Sequence, residues 1–132
     1  MRTILFRGKM LKSGAWIEGD LRQYPSGAVA IKDNSFCHII EVDPASVCQY
    51  TGLKDKNGKK IFEGDIVEQS WFDCVEPIDD SVGEVVYCEN DCSFSVMDAN
   101  KKEIVPLGRC HSYHWEVDVI GNIHDNPELM EA

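Results

Sequence analysis

The residues of this sequence best suited to chemistry are its soft and borderline metal ligands. Cys88 and Cys92 have three residues between them, and so do Cys110 and His114. Structural zinc takes thiolate and imidazole ligands in tetrahedral sets, commonly as pairs two to four residues apart, so these four side chains form a candidate set. Residues four apart on a strand also share a face, which is what two core cysteines would show, and no complete zinc-motif spacing is present. Core or loop thiols without metal are therefore the preferred reading. A cysteine nucleophile would need one of His38, His111, His114 or His124 as its base, within hydrogen-bond reach. The adjacent pair Cys37-His38 is poorly disposed for this, because neighbours on a strand point to opposite faces. Carboxylates recur in two copies of Glu-Gly-Asp, at Glu18 to Asp20 and Glu63 to Asp65. Acid and base work would require the copies to meet in a cleft with shifted pKa values, so the aspartates are read as turn caps and the glutamates as solvated. The chain has no phosphate-binding glycine loop, no zinc-protease helix and no nucleophile elbow. No catalytic residue, no cofactor and no enzyme activity are expected.

Charge narrows the partners. The 132 residues carry a net charge of −10, unevenly spread: ten Lys/Arg against eight Asp/Glu up to residue 66, then three against fifteen. An acidic surface repels phosphate backbones, so non-specific nucleic-acid binding is not expected. Lys54, Lys56, Lys59 and Lys60 are the strongest basic cluster, but no aromatic residue is interleaved, and they read as a solvated turn. The acidic second half reads first as a solubilising surface. Its sharper readings are head-to-tail self-association and mimicry of nucleic acid. No apolar run approaches the roughly eighteen residues that cross a bilayer, and the first ten residues lack a signal peptide's apolar stretch. The expectation is a cytoplasmic protein whose six cysteines are free thiols.

The elements that must position these residues are short. Turn residues interrupt the apolar runs every eight to twelve positions, as in all-β domains. Strands are expected at Ile4 to Arg7, Ala15 to Leu21, Ala28 to Lys32, Cys37 to Glu41, Ile61 to Glu68, Gly83 to Tyr87, Phe94 to Met97, Glu103 to Pro106 and His114 to Ile120. Asp43-Pro44 and Asn126-Pro127 each place a capping residue before proline and predict short helical turns, the second of which could dock Leu129 and Met130 on the body. Asn57-Gly58 predicts a tight turn, and Asp73 to Ser81 reads as a mobile acidic loop. Trp16 and Trp115 are expected in the core, while one of Trp71 and Phe72 must face outward.

The run Gln49-Tyr50-Thr51-Gly52-Leu53-Lys54-Asp55-Lys56-Asn57-Gly58-Lys59-Lys60-Ile61-Phe62-Glu63-Gly64-Asp65-Ile66-Val67 resembles the signature of the YopX-like family of phage and prophage proteins. The opening Arg2 to Gly8 and the closing Glu116 to Leu129 are similar to that family's ends. The resemblance implies a mainly β fold: a complex β-rich N-terminal lobe over residues 1–60, then an SH3-like barrel over residues 61–132 with a closing helical turn. It also implies a phage or prophage origin and a tendency to form homo-oligomers. It transfers no catalytic motif, so the expected function is an accessory or interaction protein with an unknown protein partner. The alternatives are an acidic inhibitor that mimics nucleic acid toward a host protein, and a small zinc-binding protein.

Overall fold

Branched and aromatic runs of a few residues, separated by glycine, proline and asparagine, favour extended backbone over helix. The computed structural model, which describes residues 2–35, 37–72, 77–99, 104–108 and 114–130, is accordingly built of antiparallel strands, with helix limited to two 3-10 turns among the described residues. It forms two compact units, residues 1–52 and 53–132.

In the first unit, β1 (Phe6–Lys9), β2 (Trp16–Gln23), β3 (Val29–Asp33) and β4 (Ile39–Val42) form a meander, and β5 (Cys48–Lys54) pairs on the other side of β1. Ile17, Ile31 and Val42 are its buried centre, with Phe6, Leu21, Val29 and Ile40 packed around them. The meander curls back on itself. Met10 bridges Val42, the Leu11 amide donates to the Glu41 carbonyl at 3.3 Å, and the Asp43 amide donates to Lys9 at 2.8 Å. Gly8 permits that closure, because a Cβ there would lie 2.9 Å from Val42 Cγ2. The expected helical turn follows as Pro44–Ser46, with the Asp43 carboxylate accepting from the Ala45 amide at 3.0 Å.

Two sequence expectations fail in this unit. The first Glu-Gly-Asp copy is no turn. It lies inside β2, where Gly19 sits opposite Phe6 and Asp33 and a Cβ would collide with the Lys32 carbonyl. Its glycine serves close strand approach, and Glu18 and Asp20 simply occupy the exposed face. Trp16 is not core either. It is half-buried on that outer face, with the Arg7 guanidinium carbon 4.6 Å and the Lys9 ammonium 5.3 Å from its ring centroid. Strand β5 was not expected at all, because after Tyr50 it runs Thr51-Gly52-Leu53-Lys54 with all four residues partly or fully exposed, and only Cys48 and Tyr50 are buried.

The second unit begins at the end of β5, turns at residues 55–59 into β6 (Lys60–Phe62), and continues as β7 (Asp65–Phe72), β8 (Pro77–Cys88), β9 (Ser93–Asp98), β10 (Ile104–Pro106) and β11 (His114–Asn122). Strands β7 to β10 are a meander and β11 returns beside β7, giving the order β10-β9-β8-β7-β11. This connectivity accommodates the barrel that the resemblance implies. Ile61, Val67, Val85, Val96 and Val117 form the core, with Val105, Trp115 and Val119 against it. The second Glu-Gly-Asp copy is a true turn between β6 and β7. Gly64 has φ +85°, its amide donates to Val85 at 2.8 Å, and the buried Asp65 carboxylate accepts from the Phe62 amide at 2.8 Å. The expected acidic loop is corrected in part: residues 73–76 lie outside the described residues, but Pro77 onward is strand, with Asp80 opposite Ser70 and Ser81 opposite Gln69. Pairing with β7 overrides a composition that by itself favours a loop.

Inside this unit Gln69 is fully buried and joins three segments. Its Oε1 accepts from Trp115 Nε1 at 2.9 Å and from the Gly108 amide at 3.3 Å, and its Nε2 donates to the Pro106 carbonyl at 3.3 Å. Trp71 Nε1 donates to the Gly108 carbonyl at 3.3 Å. The turn at residues 55–59 is fixed by Asp55. Its Oδ1 accepts from the amides of Asn57 (2.9 Å) and Lys59 (2.8 Å), and its Oδ2 accepts from the Val119 amide on β11 (3.2 Å). Burial alone would raise the pKa of this carboxyl, but the three amide bonds together with the nearby Lys59 charge outweigh it and hold the pKa below the ordinary value.

Replacing Asp55 by alanine leaves these amides without their acceptor, and should cost about 2 to 3 kcal/mol at pH 7. A carboxylate with a depressed folded pKa stabilises above its unfolded pKa and loses that contribution as pH falls through the folded pKa. Urea unfolding of Asp55→Ala and the parent should therefore differ at pH 7 and converge toward pH 2.

Candidate interaction surfaces

The candidate zinc ligands are not assembled by the described residues. Cys88 ends β8 and Cys92 lies across the β8–β9 turn, where their sulfurs meet Asp91 Oδ2 and the Glu89 carbonyl, each at 3.6 Å. His114 opens β11 opposite Phe72, and Phe72 pairs with Pro77 at the far end of β8. Pro77 and Cys88 are the two ends of the 12-residue strand β8, more than 30 Å apart at roughly 3.3 Å per residue. The His114 ring lies 6.1 Å from the Phe72 ring and its Nε2 is 3.3 Å from Glu116. Cys110 and His111 lie outside the described residues. No group of three or more ligands suited to a metal occurs among the described residues. Cys37, Cys48, Cys88 and Cys92 are free thiols, of which only Cys48 is buried. The two Glu-Gly-Asp copies do not make an acid and base pair: Glu18 and Asp20 are exposed strand residues, and Asp65 is buried as a backbone acceptor.

What the second unit does assemble is a charged sheet face. On β7, Val67, Gln69 and Trp71 point to the core, so Glu68, Ser70 and Phe72 point away from it. As expected, one of the pair turns away from the core: Trp71 is buried, and Phe72 is the half-buried outward residue. Glu68 lies directly opposite Asp118 on β11, Ser70 lies between Glu116 and Asp80, and Glu84 follows on β8 opposite Ile66. Strands β7 to β11 contain no Lys or Arg. Like charges directly opposite across strands cost stability, so this face is not what folding alone favours. Asp118 is steadied by Asn57, whose side-chain amide donates to it at 3.3 Å. Glu84 is half-buried, and its pKa is raised first by burial and then by the negative charge of Glu63. The closing 3-10 turn, Pro127–Met130, packs at the same end. A Cβ at Gly121 would meet Leu129 Cδ1 at 2.8 Å, so the expected docking of Leu129 is seen.

The first unit carries a different surface. Met10, Leu11, Ile39 and Ile40 line an open groove of about 580 Å³, with Lys12, Ser13 and Glu41 at its rim. Leu11 is 55% and Ile39 51% exposed, unusual for two large aliphatic side chains in one groove. Sequence reasoning missed this surface because the two residues are 28 apart in the chain and meet only through the closure of β4 on β1.

Two antiparallel sheets in two compact units define a small mainly β protein. The chain belongs to the YopX family: the family model described as YopX protein matches residues 5–131. Among solved structures, protein EF1440 from Enterococcus faecalis is 29% identical, with a TM-score of 0.58, covering 99% of this chain and 100% of its own. Protein yopX from Bacillus subtilis is 20% identical with a TM-score of 0.60 and the same coverage, a likeness of fold. No functionally curated protein matches the sequence.

The acidic face predicts stability gained by neutralisation. A carboxyl with a raised folded pKa destabilises the fold while ionised, and that cost disappears as pH falls below its unfolded pKa. Glu84→Gln should therefore raise the urea midpoint at pH 7, with the gain vanishing toward pH 3. Glu68→Gln, which removes the charge opposite Asp118, should stabilise by about 0.5 kcal/mol at low salt.

Proposed function

We propose that this protein is a non-catalytic accessory protein of phage or prophage origin that acts in the bacterial cytoplasm as an assembly of its own copies. The observation that carries this reading is the aliphatic groove of the first unit, where Leu11 and Ile39 stand more than half exposed beside Met10 and Ile40. Contiguous apolar surface of this kind marks contact sites in soluble proteins. The occupant is a second copy of the chain. The unequal charge of the two halves, slightly basic up to residue 66 and strongly acidic beyond it, supports a head-to-tail arrangement. Light scattering across a range of concentrations should show an oligomer that becomes a monomer in the double variant Leu11→Lys, Ile39→Lys, with its thermal midpoint little changed. A parent protein that is monomeric at every concentration overturns the proposal.

The acidic sheet face favours a second reading, an inhibitor that occupies the basic surface of a host nucleic-acid-binding protein. Glu68, Asp80, Glu84, Glu116 and Asp118 share that face. Such binding would be fast, electrostatically steered and weakened by salt. Affinity capture from host lysate should recover DNA- or RNA-binding proteins, and Glu68→Lys with Glu116→Lys should lose them. Recovery of none contradicts this second reading and leaves self-assembly to be judged by light scattering.

A further inference from the structure

The β8–β9 turn holds a pair of thiols that neither proposed surface uses. Cys88 is paired opposite Ser93, and the turn between them is Glu89-Asn90-Asp91-Cys92. Cys92 has φ +53°, a left-handed conformation that glycine or asparagine takes easily and a cysteine adopts at a cost of about 1 kcal/mol or more. Turn geometry alone would select glycine there. Each sulfur reaches across the turn toward the other's neighbour: Cys88 Sγ lies 3.6 Å from Asp91 Oδ2, and Cys92 Sγ lies 3.6 Å from the Glu89 carbonyl. Cys88 is half-buried and Cys92 exposed, so both are open to a small reagent.

We propose that the Cys88 and Cys92 thiols form a redox pair that closes into a disulfide across the β8–β9 turn when met by a small-molecule disulfide such as oxidised glutathione. The thiolate of Cys92, the more exposed sulfur, attacks the glutathione disulfide, forming a mixed disulfide and releasing one glutathione thiolate, which takes up the proton that Cys92 lost. Cys88, as its thiolate, then attacks the Cys92 sulfur, forming the internal disulfide and releasing the second glutathione. Two protein thiols are oxidised and one glutathione disulfide is reduced to two thiols, with protons conserved. Cys88 pairs with Ser93 and Cys92 directly precedes Ser93, so the two cysteines flank one tight turn, and the link requires their Cα atoms to come within about 7 Å of each other. Cys37, exposed and also left-handed at φ +57°, serves as the single-thiol control.

The test incubates the reduced, folded protein in glutathione buffers of graded redox ratio, blocks remaining thiols by alkylation, and maps peptides by mass spectrometry. The expected result is a Cys88–Cys92 link that persists at a ratio of reduced to oxidised glutathione at least tenfold higher than the one that strips the mixed disulfide from Cys37. Cys88→Ser should stop the reaction at a glutathione adduct on Cys92. Cys92→Gly should abolish the link and raise the urea midpoint of the reduced protein, by relieving the left-handed backbone. Stable separate adducts on Cys88 and Cys92, links from either to another cysteine, or no reaction at the turn under conditions that modify Cys37 would each overturn the proposal.

Discussion

The arrangement of the second unit depends on one buried carboxylate. Asp55 gathers amides from its own turn and from β11, and the Lys56 amide adds a bond to the Val117 carbonyl at 2.9 Å. These contacts tie the turn at residues 55–59 along β11, which among the described residues pairs with β7 at the edge of the sheet. An edge strand left open would offer its backbone to other chains, and the turn covers part of it. The carboxylate can stay ionised in a buried place only because the amides replace the water it lost. The lysines around it have a plain role: Lys54 and Lys60 flank, and Lys56 and Lys59 lie within, a turn held by an acceptor of backbone amides.

Gln69 complements this from inside the sheet. By holding Pro106, Gly108 and Trp115 to β7, it sets which residues of the strand face inward and therefore which carboxylates face outward. A register slip of one residue would put Glu68 into the core, so the buried amide and the acidic face are two sides of one constraint. Like charges opposed on this face, as at Glu68 and Asp118, cost stability. The first unit solves its edge differently, by closing β4 onto the end of β1, and that closure creates the aliphatic groove.

Much of the fold was legible in the sequence, for identifiable reasons. Most of the expected strands lie within a few residues of the observed ones, because alternating burial, as in β2, leaves a period of two in the residue types. Both 3-10 turns were announced by a capping residue and proline, and the Asn57-Gly58 turn by Gly58, which takes φ +83°. What was hidden depends on pairing. Strand β5 has too few apolar residues to be seen without its partner β1, and the start of β8 looks like a loop until β7 is beside it. The two Glu-Gly-Asp copies share letters but use their glycines for different ends, close strand approach at Gly19 and a positive φ at Gly64, a distinction that only the neighbouring backbone decides. The groove was invisible because its residues come together only through the closure of β4 on β1.

The role given to Asp55 is tested most directly by following its side-chain carboxyl carbon by NMR through an acid titration of the folded protein. An ionised, amide-bound Asp55 should titrate below the ordinary value of 3.8, with the Asn57, Lys59 and Val119 amide resonances shifting in step. A carboxyl that titrates at or above that value, or amides that do not follow it, would contradict the claim that this one carboxylate holds the turn to β11.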